Sequence, residues 1–281
     1  MRNNNPAIIG GVGGSGTRLI AQIFKVIGYN MGNDFNKACD NLSFTLLFRR
    51  TEVLSLNSSE FQHLINILKT SIVGDKKLTT NQLNTINKLS NTPRPYTTTE
   101  WLKDRGNALI NTPINQINND QKIKWGWKEP NSHLVLKQLH KSLPEMKYIH
   151  VIRNGIDMAY SENQNQLKLW GKYFFNDNVA ITPENSLKYW CIVHQNLLEY
   201  SKNMNGSFYL LNFDEFCQEP KKGVSKLIQF LKLKLTASQE LQVHELIKLP
   251  KTIGRYKQND LSGFDIKDIT YVEQLGFDVK K

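Results

Sequence analysis

The apolar residues of this chain gather into short runs divided by polar stretches, and each run has either strand or helix spacing. Ala7 to Gly11 is an apolar run that passes through a glycine-rich turn into an amphipathic pattern starting near Ser15, which predicts strand, turn and helix. Lys147 to Ile152 reads as a second, buried strand. Just before it, Asn131 or Ser132 is placed to cap a helix carrying Leu134, Leu136, Leu139 and Leu143. Phe208 to Phe213 forms a third apolar strand. A helix that runs directly into an apolar strand is the signature of a parallel sheet, whose ligands bind beyond the carboxyl ends of its strands. Leu42 to Phe48 and Glu60 to Leu68 have helical spacing, whereas Leu78 to Thr99 offers capping and turn signals with weak periodicity. The expectation is a single α/β domain over residues 1–281 with a central parallel sheet and a helical insertion over residues 34–122.

The first turn contains Gly11-Val12-Gly13-Gly14-Ser15-Gly16-Thr17-Arg18. Glycines let the backbone wrap an anion with its amides, and the following helix adds the positive end of its dipole, so this is a phosphate cradle. Gly11 and Gly16 have the spacing of the nucleoside-triphosphate loop G-x-x-x-x-G-K-[ST], yet Thr17 and Arg18 follow in place of its lysine and hydroxyl. A magnesium-dependent kinase would also end the comparable strand on an aspartate. Here Arg153 stands at that end, a cation able to fork onto a phosphate. Ser161 lies eight residues on and is expected on the next helix, from which it would donate a hydroxyl to the same group. The alternative for Arg153 is a surface ion pair with Asp157. In Trp127-Lys128-Glu129-Pro130, the proline keeps Glu129 extended and aims Lys128 from a strand end toward the first loop.

Taken together, these motifs resemble those of sulfotransferases that use 3′-phosphoadenosine 5′-phosphosulfate (PAPS). Ser15-Gly16-Thr17 after a strand is similar to the family's 5′-phosphosulfate loop, and the spacing of Arg153 and Ser161 resembles its R-x7-S site for the 3′-phosphate. Lys128-Glu129-Pro130 resembles the K-[DE]-P element of carbohydrate and tyrosylprotein sulfotransferases, whose lysine contacts the sulfuryl group or the bridging oxygen. The run from Phe208 to Leu233 is similar to the family's late strand, acidic turn and packing helix, and Thr252 to Lys257 to its C-terminal loop. The resemblance touches residues 7–28, 124–161, 207–232 and 252–257, in the family's order. It implies a three-layer P-loop-NTPase-like fold and PAPS as donor co-substrate, without a metal. It assigns Gly13, Gly14, Ser15, Gly16, Thr17 and Arg18 to the phosphosulfate, Arg153, Ser161, Arg255 and Lys257 to the 3′-phosphate, and Lys128 to catalysis. Many members carry Lys or Arg where this chain has Gly14, and Arg18, one turn into the helix, is the substitute charge.

An alcohol acceptor also needs a general base. Asp40 is the first choice, since related enzymes place an acidic base shortly after the first helix; Asp34 and Glu129 remain open, and His133 reads as a capping or packing residue. The insertion over residues 34–122 is where the acceptor, a hydroxyl of a carbohydrate or small metabolite, would be read.

The net charge of +11 suits an anionic co-substrate, but the cations are spread along the chain, so no nucleic-acid partner is expected. Cys39, Cys191 and Cys217 have neither disulfide nor zinc spacing. With a mean hydropathy of −0.45 and no long apolar window or signal core, a cytoplasmic protein without a membrane span is expected. The predicted activity is metal-independent, in-line sulfuryl transfer. The alternatives are a kinase using ATP and magnesium, and a catalytically silent nucleotide- or polyanion-binding protein.

Overall fold

A computed structural model describes residues 5–114, 123–175 and 179–280. Positions 115–122 of the expected insertion lie outside the described residues. Strands β1 (Ala7–Gly11), β2 (Gly126–Lys128), β3 (Lys147–Ile152) and β4 (Phe208–Asn212) form a parallel sheet in the order β2-β1-β3-β4, flanked by helices. This is the α/β architecture that the alternation of strand and helix predicts. The chain falls into two compact units, residues 1–10 with 20–149 and residues 11–19 with 150–281. No helix among the described residues is long and apolar enough to cross a membrane.

The first unit is built on β1 and β2, paired with Ala7 opposite Gly126, Ile8 opposite Trp127 and Ile9 opposite Lys128. Helix α1 (Thr17–Val26) follows β1, and α2 (Leu42–Phe48) is buried along its whole length. The reason is aromatic packing. Phe44 stacks on Trp127 of β2 at 5.8 Å and on Phe48 at 4.7 Å, and Phe48 meets Phe61 of α3 (Ser58–Val73) at 5.3 Å. Helix α3 begins before Glu60 because Asn57 and Glu60 form a reciprocal capping box. The weakly periodic stretch holds α4 (Thr80–Asn91), capped by Thr79 and Gln82, which packs on α5 (Thr99–Ile110) through Ile86, Leu89 and Ser90. Only a narrow face of α4 is buried, so its sequence carries little apolar signal.

One predicted helix changes form. Residues Pro130–Val135 make a 3-10 turn, and α6 (Leu136–Ser142) starts only after it. The cap is Glu129 rather than Asn131 or Ser132: Pro130 has no amide to satisfy, and the Glu129 carboxylate accepts from the backbone of Asn131.

The second unit contains the C-terminal part of β3, β4, and helices α7 (Gly155–Ala159), α8 (Asn165–Phe175), α9 (Pro183–Ser201), α10 (Phe213–Gln218), α11 (Pro220–Leu231), α12 (Ala237–Leu246) and α13 (Ile266–Gln274). Its core centres on Trp190 of α9, with Tyr271 at 6.2 Å and Phe277 at 6.3 Å, ring centroid to ring centroid. Strand β4 stops one residue before Phe213 because Asn212 turns its side-chain oxygen onto the amides of Asp214 and Glu215 and caps α10.

The β1–β2 pairing predicts a steep response at Gly126. A Cβ there would stand 1.8 Å from the carbonyl oxygen of Ala7, a backbone atom with nowhere to go. Gly126→Ala is expected to cost about 3 kcal/mol or more, read as a lower denaturant midpoint in urea unfolding.

Candidate functional site

In the second unit, β1 ends at Gly11 and the chain turns through a loop before α1. The helix starts at Thr17 rather than near Ser15, since Gly16 has φ +96° and lies outside the helical region. Even apart from φ, a Cβ on Gly16 would strike the Phe213 ring at 2.2 Å. Gly14 also has a positive φ, +97°, so a basic side chain at this position would be strained in this loop. The amide of Ser15 donates to the Val12 carbonyl at 3.1 Å, whereas the amides of Gly14 and Gly16 have no partner among the described residues. Ser15 is fully buried and its Oγ likewise has no partner there, and Thr17 is buried beside it. A buried orphan hydroxyl and free amides in one glycine turn are the donor set an anion requires. Arg18 is exposed on α1 and makes no hydrogen bond or ion pair among the described residues.

Ser161 meets this loop: its Oγ lies 3.8 Å from where a Cβ of Gly14 would stand. It is not on a helix. Gln164 Nε2 donates to the carbonyls of Met158, Ala159 and Ser161, closing α7 after Ala159 and leaving Ser161 in a turn. Arg153, buried at the end of β3, donates from Nη2 to Thr252 Oγ1 at 2.7 Å, and its Nε lies 3.4 Å from Asp214 Oδ1. Asp157 is not its partner; the Asp157 carboxylate accepts from the amides of Gly254 at 2.7 Å and Tyr256 at 3.0 Å. Burial and the neighbouring Arg153 charge hold the Arg255 guanidinium below its ordinary pKa. Two guanidinium groups kept in each other's field are suited to an anion carrying two charges. Lys257 is turned elsewhere, onto Asp278 at 3.1 Å.

In the first unit, Lys128 ends β2 with a buried side chain. Its ammonium pairs with Asp40 and donates to the Ala38 carbonyl at 3.0 Å, using two of its three donors. The Asp40 carboxylate also accepts from Asn36 Nδ2 at 2.7 Å, and Asn36 Oδ1 takes the amides of Ala38 and Asp40. Asp40 thus sits in a tight loop, fixed on one side and still 19% exposed. Glu129 is turned inward: Asn131 donates to one carboxylate oxygen from its amide at 2.6 Å and to the other from its side chain at 2.8 Å. Burial, reinforced by the charge of Asp40, raises the Glu129 pKa to about 7. Asp34 is paired with Arg105 at 2.5 Å, and burial lifts its pKa. His133 Nδ1 engages the Pro130 carbonyl at 2.8 Å within the 3-10 turn.

The profile of the sulfotransferase family matches residues 6–237. The chain belongs to the sulfotransferase family. No curated protein matches the sequence. Among solved structures, this sulfotransferase is similar to the sulfotransferase domain of the curacin biosynthetic pathway, at TM-score 0.52 and 11% identity over 100% of each chain. It is also similar to the sulfotransferase domain of the olefin synthase of Synechococcus PCC 7002, at TM-score 0.50 and 14% identity over 100% of this chain and 98% of that one. Sulfotransferase STF9 from Mycobacterium avium matches 86% of this chain and 67% of its own length, at 13% identity and TM-score 0.46. At these identities the likeness is one of fold.

Three residues of these groups were not singled out as site residues by motif: Asp214, Thr252 and Asn36. Asp214 stood in an acidic turn and Thr252 at the head of a basic loop, so a signal was present, but the pairing with Arg153 spans 61 and 99 residues of sequence. Nothing in the local pattern of Asn36 marks it.

The buried Glu129 generates a pH prediction. A carboxyl whose folded pKa is raised from 4.5 to about 7 stabilises the fold while protonated, fully below about 4.5, and that contribution is lost as pH rises through about 7. Urea midpoints taken between about pH 4 and pH 8 are expected to fall across this window, and Glu129→Gln to remove most of that slope.

Proposed function

We propose that this sulfotransferase moves a sulfuryl group from PAPS to a hydroxyl of a carbohydrate or small-metabolite acceptor, in line and without a metal. The observation that supports the reading is the meeting of Gly14 and Ser161 in the same unit as the Arg153–Arg255 pair, a glycine loop and two cations suited to the two anionic ends of PAPS. In this reading the free amides of Gly14 and Gly16, with Ser15, Thr17 and Gly13, bind the 5′-phosphosulfate, and Arg18 adds charge from α1. Arg153, Ser161 and Arg255 bind the 3′-phosphate. Lys257, held by Asp278, would have to exchange partners to join them.

Asp40 takes the proton of the acceptor hydroxyl as its oxygen bonds to sulfur. The bond from sulfur to the bridging phosphate oxygen breaks, and the third donor of Lys128 stabilises the charge left on that oxygen. Asp40 is preferred to Asp34 and Glu129 because its partner is Lys128, the lysine of the K-E-P element, whereas Asp34 is paired with Arg105 and Glu129 with Asn131. The insertion over residues 34–122, helical over much of its described part, is proposed to carry the acceptor side.

Calorimetry is the direct test. 3′-Phosphoadenosine 5′-phosphate is expected to bind without magnesium and about 100-fold more tightly than ADP, and Arg153→Ala to abolish that preference. A preference for ATP with magnesium would overturn the assignment. Lys128→Ala is expected to lower kcat by about 100-fold or more while KM for PAPS changes little; equal losses in both would make Lys128 a binding residue.

A further inference from the structure

Asp157 is buried on α7, 1% exposed, four residues after Arg153. Its two carboxylate oxygens are divided between two amides, Oδ2 receiving Gly254 and Oδ1 receiving Tyr256. These amides flank Arg255. The position of α7 is itself fixed: Asn154 caps it through the amides of Ile156 and Asp157, and donates from Nδ2 to the Asp278 carbonyl at 2.7 Å. Arg255 by contrast has only weak holds of its own, a 3.5 Å contact from Nη1 to the Tyr160 carbonyl and a 3.4 Å contact from Nε to the Thr252 carbonyl. The neighbouring Arg153 charge opposes it.

We propose that Asp157 is the positioning residue for 3′-phosphate selectivity: by clamping the backbone on both sides of Arg255, it keeps that guanidinium beside Arg153 against their mutual repulsion. The inference rests on the reading of Arg153 and Arg255 as the 3′-phosphate site. A carboxylate suits the task because it accepts from two amides at once, whereas the amide of an asparagine presents one acceptor and one donor. Asp157 itself does not touch the nucleotide. Its removal therefore acts through Arg255, and the loss is confined to ligands that bear a 3′-phosphate.

The experiment is calorimetric titration of wild type, Asp157→Asn, Arg255→Ala and the double variant with 3′-phosphoadenosine 5′-phosphate and with ADP. Asp157→Asn is expected to weaken the 3′-phosphate ligand by about 10-fold to 100-fold and ADP by less than about threefold, with no further loss when Arg255→Ala is added. Equal losses for both ligands, or additive losses in the double variant, would overturn the proposal. If Asp157→Asn does not fold, Gly254→Ala strains the same segment, where Gly254 has φ +77°, and an unchanged preference for the 3′-phosphate ligand would overturn it equally. A wild-type protein indifferent to the 3′-phosphate would instead remove the reading on which the proposal stands.

Discussion

A charge taken out of water must be met by a partner, and both strand ends that carry candidate chemistry here end on a buried cation. Lys128 at the end of β2 is met by Asp40 and the Ala38 carbonyl, and Arg153 at the end of β3 by Thr252 and Asp214. Those partners come from distant parts of the chain, so each buried cation also organises a loop. The turn over residues 34–41 closes on Lys128, and the segment from Thr252 to Tyr256 closes on Arg153 and Asp157. Each loop is therefore ordered by the buried cation it covers.

This explains which features were legible in the sequence. Strands β1 and β3 and helix α2 are fully or nearly fully buried, so apolar residues dominate them and their bounds could be read closely. The glycine loop was legible for a different reason: a positive φ at Gly14 and Gly16 leaves glycine as the residue of choice. Helix α4 was poorly legible because it buries only Gln82, Ile86, Leu89 and Ser90. The helix expected from Asn131 or Ser132 was placed wrongly at its start, where Pro130 and a carboxylate cap imposed a 3-10 turn that periodicity does not register.

In the candidate site, residue types were legible and partners were not. Glu129, Asp34 and Asp40 are interchangeable carboxylates in the sequence, and what separates them is burial and pairing. Asn131 absorbs the first, Arg105 the second and Lys128 the third; Asp34 and Asp40 are equally exposed at 19%, so only the partner tells these two apart. The alternative that paired Asp157 with Arg153 at the surface rested on opposite charges four residues apart in the chain, a spacing that brings side chains together only on one helix. But Arg153 precedes α7 and does not lie on it, so the two side chains share no helical face.

The different fates of the two carboxylates near Arg153 follow from what each can accept. Asp214 meets the guanidinium only at 3.4 Å and shares itself with the Asn154 amide, so it moderates the Arg153 charge without closing the fork. A tight bidentate pair would have consumed the donors an anion needs. Asp157, saturated by two amides, leaves that fork alone and spends its charge on backbone instead. The division lets Arg153 be buried with its charge partly met and its guanidinium not locked in a bidentate pair, which is the state the proposed 3′-phosphate role needs.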